Sequence, residues 1–171
     1  MENTGFKYIQ KLLWQLCNDN NGGDKRLGEI MSLVNNKNVN VNLMDDDDTY
    51  NQNALLKAAL NGQNGTIDFL LKKGLDLNST DKNGDNALLN AAWNGHNGTI
   101  DFLLKKGLDL NSTDKNGNNA LLNAACNGHN GTIDFLLKKG LDLNSTNNYG
   151  ETALQVAVRR GHSETVKFLK K

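Results

Sequence analysis

Residues 81–113 read DKNGDNALLNAAWNGHNGTIDFLLKKGLDLNST, and residues 114–146 repeat that stretch with only two changes. The second copy has asparagine where the first has Asp85, and cysteine where the first has Trp93. Residues 48–80 share the same ending and depart from the first copy at seven positions. A period of 33 residues indicates a stack of similar units, none of which can bury its apolar face alone.

Each unit contains two short helical segments. Asn86 is a good N-cap residue and opens the segment ALLNAAWN, which Gly95 ends. A second segment, TIDFLLKK, begins after Gly98 and ends at Gly107. Its apolar residues cover such a wide arc that this helix must be covered on both sides, by its sister helix and by neighbouring repeats.

The link between successive units has turn and strand signals. Residues 108–110, Leu-Asp-Leu, alternate apolar and polar side chains as a short strand does, and residues 81–84 have the Asp and Asn-Gly chemistry of a tight turn. The sequence therefore predicts a unit of helix, turn, helix and hairpin-like loop. In the first helix, helical projection puts Leu88 on the apolar face, whereas Asn90 and Trp93 fall on the polar side.

The stretch DKNGDNALLNAAWNGHNGTIDFLLKKGLDLN resembles an ankyrin repeat. The usual pattern of that family runs D-x-x-G-x-T-P-L-H-x-A-A, then x-x-G-H, then V-V-x-L-L-L, then G-A-D-V-N. The resemblance continues at residues 149–169, which read YGETALQVAVRRGHSETVKFL. Asn86, Ala87 and Leu89 stand where the family usually has Thr, Pro and His. The resemblance implies an all-α repeat solenoid of helix-turn-helix units with β-hairpin-like loops.

We expect one ankyrin-repeat domain over residues 1–171, with about five units including both caps. At the C-terminal end, Gln155 and Lys170 replace leucines of the internal repeats, and polar residues on a stacking face are typical of a capping unit. The acidic run from Asp45 to Asp48 is interpreted as a solvated loop that could attract a basic partner, rather than as a calcium site. The expected units are an N-terminal cap with this acidic insert at 1–47, internal repeats at 48–80, 81–113 and 114–146, and a C-terminal capping repeat at 147–171.

Composition narrows the class of partner. Nineteen basic residues balance nineteen acidic ones, so the chain lacks the net attraction that nucleic acids or anionic lipids usually require. No apolar run approaches the length of a membrane span, and Lys7 and Lys11 interrupt the N-terminal apolar segment, so we expect a cytoplasmic protein. The 29 asparagines and the excess of 16 lysines over 3 arginines suggest an AT-rich genome, and Cys17 and Cys126 are expected to be reduced thiols.

Three histidines are candidates for metal binding or acid-base catalysis, but their spacing disfavours both roles. His96, His129 and His162 lie 33 residues apart, on layers separated by about 8–10 Å, whereas ligands of one zinc ion lie about 2 Å from it. They occupy the G-H turn of the ankyrin pattern instead. We therefore expect no enzymatic activity, no metal, no cofactor and no small-molecule substrate.

The two copies differ where the family resemblance places a binding surface. In ankyrin repeats, partners are generally held by the hairpin tips and by the exposed side of the first helix, which line a concave surface. Trp, Tyr and Arg often anchor such interfaces. The expected partner-binding residues are Tyr50, Gln52, Leu60, Lys82, Asp85, Trp93, Lys115, Asn118, Cys126, Tyr149, Glu151 and Arg159.

These observations predict a non-catalytic, monomeric module that binds a protein or peptide partner, and a microbial, viral or parasite source could use it to engage proteins in a host cytosol. Two alternatives stay open at this point. The stack could be a structural spacer or a self-associating scaffold segment of a larger protein, which the near identity of the middle repeats suits. Trp93 could also simply pack against Leu89, four residues back in the same helix.

Overall fold

The structure, a computed structural model, describes residues 4–19, 24–36, 40–42 and 52–171, with side chains from residue 9 onward except that of Asn36. Tyr50 and the acidic run at residues 45–48 lie outside the described residues. The described ranges contain ten helices and, apart from one isolated bridge between Thr113 and Asn119, no β-structure. The helices are α1 Thr4–Cys17, α2 Leu27–Asn36, α3 Ala54–Leu60, α4 Asn64–Lys72, α5 Ala87–Trp93, α6 Asn97–Lys105, α7 Ala120–Cys126, α8 Asn130–Lys138, α9 Ala153–Arg160 and α10 Ser163–Leu169.

The helices form two rows. The first helices of the units, α1, α3, α5, α7 and α9, contact one another in that order, and the second helices α2, α4 and α6 also follow one another. Each first helix packs against the second helix of its own unit. The prediction of an all-α ankyrin-type solenoid is therefore confirmed.

The core lies between the two rows and between successive units. In α5, Leu88, Leu89 and Ala91 are fully buried, and the equivalent residues of α3 and α7 are buried in the same way. The small alanines allow neighbouring first helices to approach closely. In α6, Ile100 and Leu103 are fully buried, whereas Phe102 and Leu104, which belong to the same apolar arc, are only half-buried.

Asparagine caps fix where the first helices begin. The Oδ1 atoms of Asn53, Asn86 and Asn119 accept hydrogen bonds of 3.1, 3.0 and 3.0 Å from backbone N–H groups in the first turn of α3, α5 and α7. In α9 the same role belongs to Thr152, which forms a reciprocal capping box with Gln155. The predicted N-cap at Asn86 is confirmed, and each cap satisfies a backbone N–H that the helix leaves unpaired.

The three turn histidines connect successive units. Each Nε2 donates to the carbonyl of a residue at or near the end of the preceding first helix. The bonded pairs are His96 with Leu60 at 3.0 Å, His129 with Trp93 at 3.0 Å and His162 with Cys126 at 2.8 Å. These bonds satisfy carbonyls that the helix ends would otherwise leave unpaired, so the histidines have a structural task.

The hairpin loops are built on an aspartate at the start of the unit. The Oδ1 atom of Asp114 accepts hydrogen bonds of 2.8 Å from the N–H groups of Asn116 and Asn118, and Asp81 does the same in the preceding loop. Adjacent tips are joined by a 2.9 Å bond from the Lys115 N–H to the Asn83 carbonyl. These bonds fix the backbone of each loop and join it to the next one.

Two local predictions were wrong. Residues 108–110 do not form a strand, because the Asp109 side chain and carbonyl accept from the N–H groups of Asn111 and Ser112 at 2.9 and 3.1 Å and close a turn. The helix α6 begins at Asn97 rather than after Gly98, so this glycine lies inside the first turn. Neither difference changes the arrangement of the units.

Candidate partner-binding groove

A groove of about 410 Å³ runs along the first helices and the hairpin loops. Seven of the residues that the sequence singled out line it: Gln52, Leu60, Asp85, Trp93, Asn118, Cys126 and Arg159. The other lining residues are Asp81, Asn83, Asn90, Asp114, Asn116, Leu122, Asn123, Val156 and Arg160. The groove thus spans four successive units and combines acidic, apolar, aromatic and basic side chains.

One column of unlike side chains lies along this groove. Leu60, Trp93 and Cys126 are the last residues of α3, α5 and α7, and Arg159 holds the equivalent position in α9. The indole of Trp93 is 40% exposed, whereas Leu60 and Cys126 are half-buried and Arg159 is exposed. The indole is therefore accessible from the groove and is not sealed in the core.

Asp85 lies in an unusually acidic part of the groove. Burial, together with the charges of Asp81 and Asp114, raises the pKa of its carboxyl group to about 6. A hydrogen bond with Asn123, from the next first helix, acts in the opposite direction. Because a buried anion between like charges is unfavourable, this carboxylate is electrostatically strained at neutral pH.

Gln52 occupies the position equivalent to Asp85, and the structure places it differently from the expected exposed tip residue. Its side chain is only 6% exposed, and its Nε2 donates to Oδ1 of Asn90 at 3.3 Å. Asn90 is also almost fully buried, and its Nδ2 donates to the carbonyl of Asn86 at 3.2 Å. Gln52 therefore contributes a polar link between units and very little accessible surface.

The C-terminal part of the groove is organised by a short polar network. Asn118 donates to Oδ2 of Asp114 at 2.8 Å and accepts from Nδ2 of Asn147 at 3.0 Å. Glu151 accepts two hydrogen bonds from the Arg159 guanidinium, at 2.8 and 3.1 Å, which lower the pKa of the glutamate. Glu151 does not line the groove, but it fixes the guanidinium that does.

The remaining predicted residues lie beside the groove or outside the description. Nζ of Lys115 donates to the carbonyl of Lys82 at 2.6 Å, so these two residues join neighbouring tips. Tyr149 is 74% exposed, and its hydroxyl donates to Oδ1 of Asn116 at 3.3 Å. Tyr50 is not among the described residues, so its predicted role is not tested.

Sequence reasoning missed two kinds of groove residue. Asn90 and Asn123 were assigned only to a polar helix face, although they lie almost fully buried where the loop of the preceding unit reaches the helix. Asp81 and Asp114 were read as turn residues only, although they also line the groove. A signal was present in the middle of α5 and α7, where a polar residue is unusual in a packed stack.

We searched the described residues for a metal site, a membrane span and reactive cysteines. Nowhere in that part of the chain do three His, Cys, Asp or Glu side chains lie close enough to hold one metal ion. Within the same ranges, no helix has the length and apolar content needed to cross a membrane. Both cysteines are free thiols, and Cys17 is buried, which raises its pKa to about 12. What the groove offers is a carboxylate, an indole and a guanidinium on a fixed frame.

These features define a helical repeat solenoid whose first helices and loops line a groove. A family model of ankyrin repeats (three copies) matches residues 12–114 and 97–171, so the chain belongs to the ankyrin repeat family. Domains of this family are generally protein-interaction modules and typically have no enzymatic activity. A search among curated proteins finds none that matches the chain significantly.

Proposed function

We propose that the chain is a non-catalytic protein-interaction module that binds a protein or peptide partner on the concave surface formed by its hairpin tips and first helices. One observation carries the proposal. The repeats at 81–113 and 114–146 differ at only two positions, and both positions, 85/118 and 93/126, line the groove. Side chains that differ only along one groove are what a binding surface built on a repeated frame requires.

Trp93 is the proposed anchor of the interface. Burying the exposed two fifths of its indole would remove about 100 Å² of mostly apolar surface from water, worth about 2.5 kcal/mol of favourable free energy. The cap of α5 and the bond from His129 to the Trp93 carbonyl fix the backbone at this position before a partner arrives. Binding therefore spends little free energy on ordering the receptor.

The test uses the chain's own alternative residue. Trp93→Cys makes this position identical to Cys126 in the next repeat, which keeps the same backbone bond to a histidine, so the fold should be unchanged. In affinity purification from cell lysate with quantitative mass spectrometry, the variant should lose most of the partner that the parent retains. Leu143→Ala, which trims a similarly exposed residue outside the groove, is the control and should retain it. Equal retention by the Cys variant and the parent would remove Trp93 from the interface.

We also propose that the chain acts as a monomer in a cytosol. The free thiols of Cys17 and Cys126 support a reducing compartment. The excess of asparagine, with 16 lysines against 3 arginines, supports an AT-rich microbial, viral or parasite source whose partner would be a host protein. An epitope-tagged copy expressed in the source organism would test this assignment. Its detection in the host cytosol would support the assignment, and its retention in the source organism would contradict it.

The near identity of the two middle repeats also favours a second function, that of a spacer or self-associating scaffold. A spacer does not need distinct surfaces on successive units. Sedimentation velocity over a wide concentration range separates the two functions. A constant sedimentation coefficient supports the monomeric binding module, and one that rises with concentration supports self-association.

A further inference from the structure

Charge is unevenly distributed along the groove. The carboxylates of Asp81, Asp85 and Asp114 line one part, and the guanidinium groups of Arg159 and Arg160 belong to the unit that lies two units beyond that of Asp85. Trp93 lies in the same unit as Asp85. The groove therefore has a negative and aromatic region at the unit of Asp85 and a positive region near its C-terminal end.

Among the described residues, the charges that act on Asp85 are negative. The groups that act on Asp85 are Asp81, Asp114 and Asn123, and no cation of the described residues is among them. The matching residue of the next unit is neutral, and Asn118 donates a hydrogen bond to Asp114 at 2.8 Å instead of repelling it. The same backbone therefore accepts a neutral residue at this position at a lower electrostatic cost. A cation supplied by a ligand would lower the electrostatic cost of the Asp85 carboxylate.

We propose that the partner is a protein segment that presents a lysine or arginine side chain to Asp85, next to an apolar side chain that packs on Trp93. This inference rests on the proposed function and narrows the chemistry of the partner. The cation would replace the missing opposite charge at Asp85, and its aliphatic stem and its neighbour would cover the indole. Nucleic acid fits this surface poorly, because its phosphates would meet the three carboxylates.

The positive region sets a second feature of the same segment. Arg159 is held by Glu151, whereas Arg160 lines the groove without an ion pair to any described residue. The two regions are two units apart, which corresponds to about 16–20 Å, or about five or six residues of extended chain. The segment should therefore carry a carboxylate about five residues from its basic residue, where it can pair with Arg160.

Protonation of Asp85 gives the interaction a pH dependence. Because the pKa of this carboxyl group lies at about 6, lowering the pH through that value should remove the negative charge and weaken binding. Asp81 and Asp114 face Asp85 from the two loops, Asn123 faces it from α7, and His129 binds the Trp93 carbonyl nearby. A variant without the Asp85 charge separates its contribution from those of the other titratable groups.

The experiment selects ligands without assuming their identity. A phage-displayed library of random peptides is panned on the full chain and on Asp85→Asn, with Asp109→Asn, an exposed carboxylate in the loop after α6, as the charge-matched control. The parent and the control should enrich peptides with Lys or Arg at one fixed position beside an apolar residue. A synthetic peptide from that selection should bind Asp85→Asn about five- to tenfold more weakly, and only the parent and control should lose affinity between about pH 7.5 and about pH 5.

Other outcomes separate this inference from the proposed function. Enriched peptides that require Trp93 but show no basic position, or the same basic preference on Asp85→Asn, would overturn the basic-segment inference and leave the binding module intact. No enrichment on the parent beyond that on the Trp93→Cys variant would overturn both. Unfolding cannot mimic the expected loss, because the Asp85 variant should be more stable than the parent.

Discussion

Asp85→Asn should stabilise the folded chain at neutral pH, although it removes a groove residue proposed to bind the partner. In the folded state, burial and the charges of Asp81 and Asp114 raise the pKa of this carboxyl group from 3.8 to about 6. One pKa unit corresponds to about 1.4 kcal/mol, and solvent screening at this half-buried side chain reduces the total to about 1 kcal/mol. The asparagine could also donate to Asp81 as Asn118 donates to Asp114, which would add to the gain.

The gain should depend on pH in a defined direction. Above about pH 6 the carboxyl group is ionised in both states, so the folded state bears the full cost of the buried charge. As the pH falls through about 6, the folded state takes up a proton and that cost decreases, and below about pH 4 both states are neutral. The difference between variant and parent should therefore be largest near neutral pH and almost absent near pH 4.

Urea titrations followed by far-UV circular dichroism at about pH 7.5 and about pH 4 measure both quantities. The reverse substitution, Asn118→Asp, places a carboxylate beside Asp114 and breaks the bond that Asn118 donates to it, so it should lower stability at neutral pH by a similar amount. An Asp85 variant no more stable than the parent at neutral pH, or equally favoured at both pH values, would refute the electrostatic account of this groove.

Three further predictions concern the frame that holds the groove. His129→Ala removes the hydrogen bond to the Trp93 carbonyl and should lower the free energy of unfolding by about 1 kcal/mol in urea titration, so an unchanged midpoint would contradict its structural role. Asn119→Ala removes the cap of α7 and should cost about 1 kcal/mol, whereas a serine at the same position should restore most of it. Gly95→Ala should lower the melting temperature by several degrees, because Gly95 has φ 76° and an added Cβ would lie 3.0 Å from Nδ1 of His129. Gly131→Ala, in open space near the start of α8, is the matched control and should leave the melting temperature unchanged or slightly higher.

The repeat period and the capping residues made most of the fold predictable. An asparagine one residue before an apolar helical segment is typical of an N-cap, and Asn86 caps α5 as predicted. The exposed position of Trp93 also followed from helical projection, since the residue falls away from the buried leucines of α5. Both features depend on local geometry, which the residues of a single unit determine.

Features that depend on the neighbouring unit were not predictable in the same way. Projection of one helix leaves Asn90 on a polar face, but the loop of the preceding unit covers that face and buries the side chain against Gln52. The raised pKa of Asp85 results mainly from burial, with contributions from Asp81 and from Asp114, and Asp114 is 29 residues away in sequence and belongs to the next unit. The alternation at residues 108–110 suggested a strand, and side-chain hydrogen bonds from Asp109 favoured a turn instead.

The positions that differ between the two middle copies share a physical property. At position 93 the bond between units involves only a backbone carbonyl, which accepts from His129. The carbonyl of Cys126 accepts from His162 in the same way, so the bond does not depend on the side chain. At position 85 the N–H donates to Asp81 and the carbonyl accepts from the Asp81 N–H, and position 118 repeats both bonds with Asp114. A change of side chain at these positions therefore leaves these backbone bonds in place. The inter-unit bond that the Asn118 side chain accepts from Nδ2 of Asn147 requires an oxygen acceptor, which aspartate also provides. The proposed partner-binding residues Trp93 and Asp85 can accordingly vary without loss of these backbone bonds, although the Asp85 carboxylate costs the folded chain about 1 kcal/mol relative to asparagine.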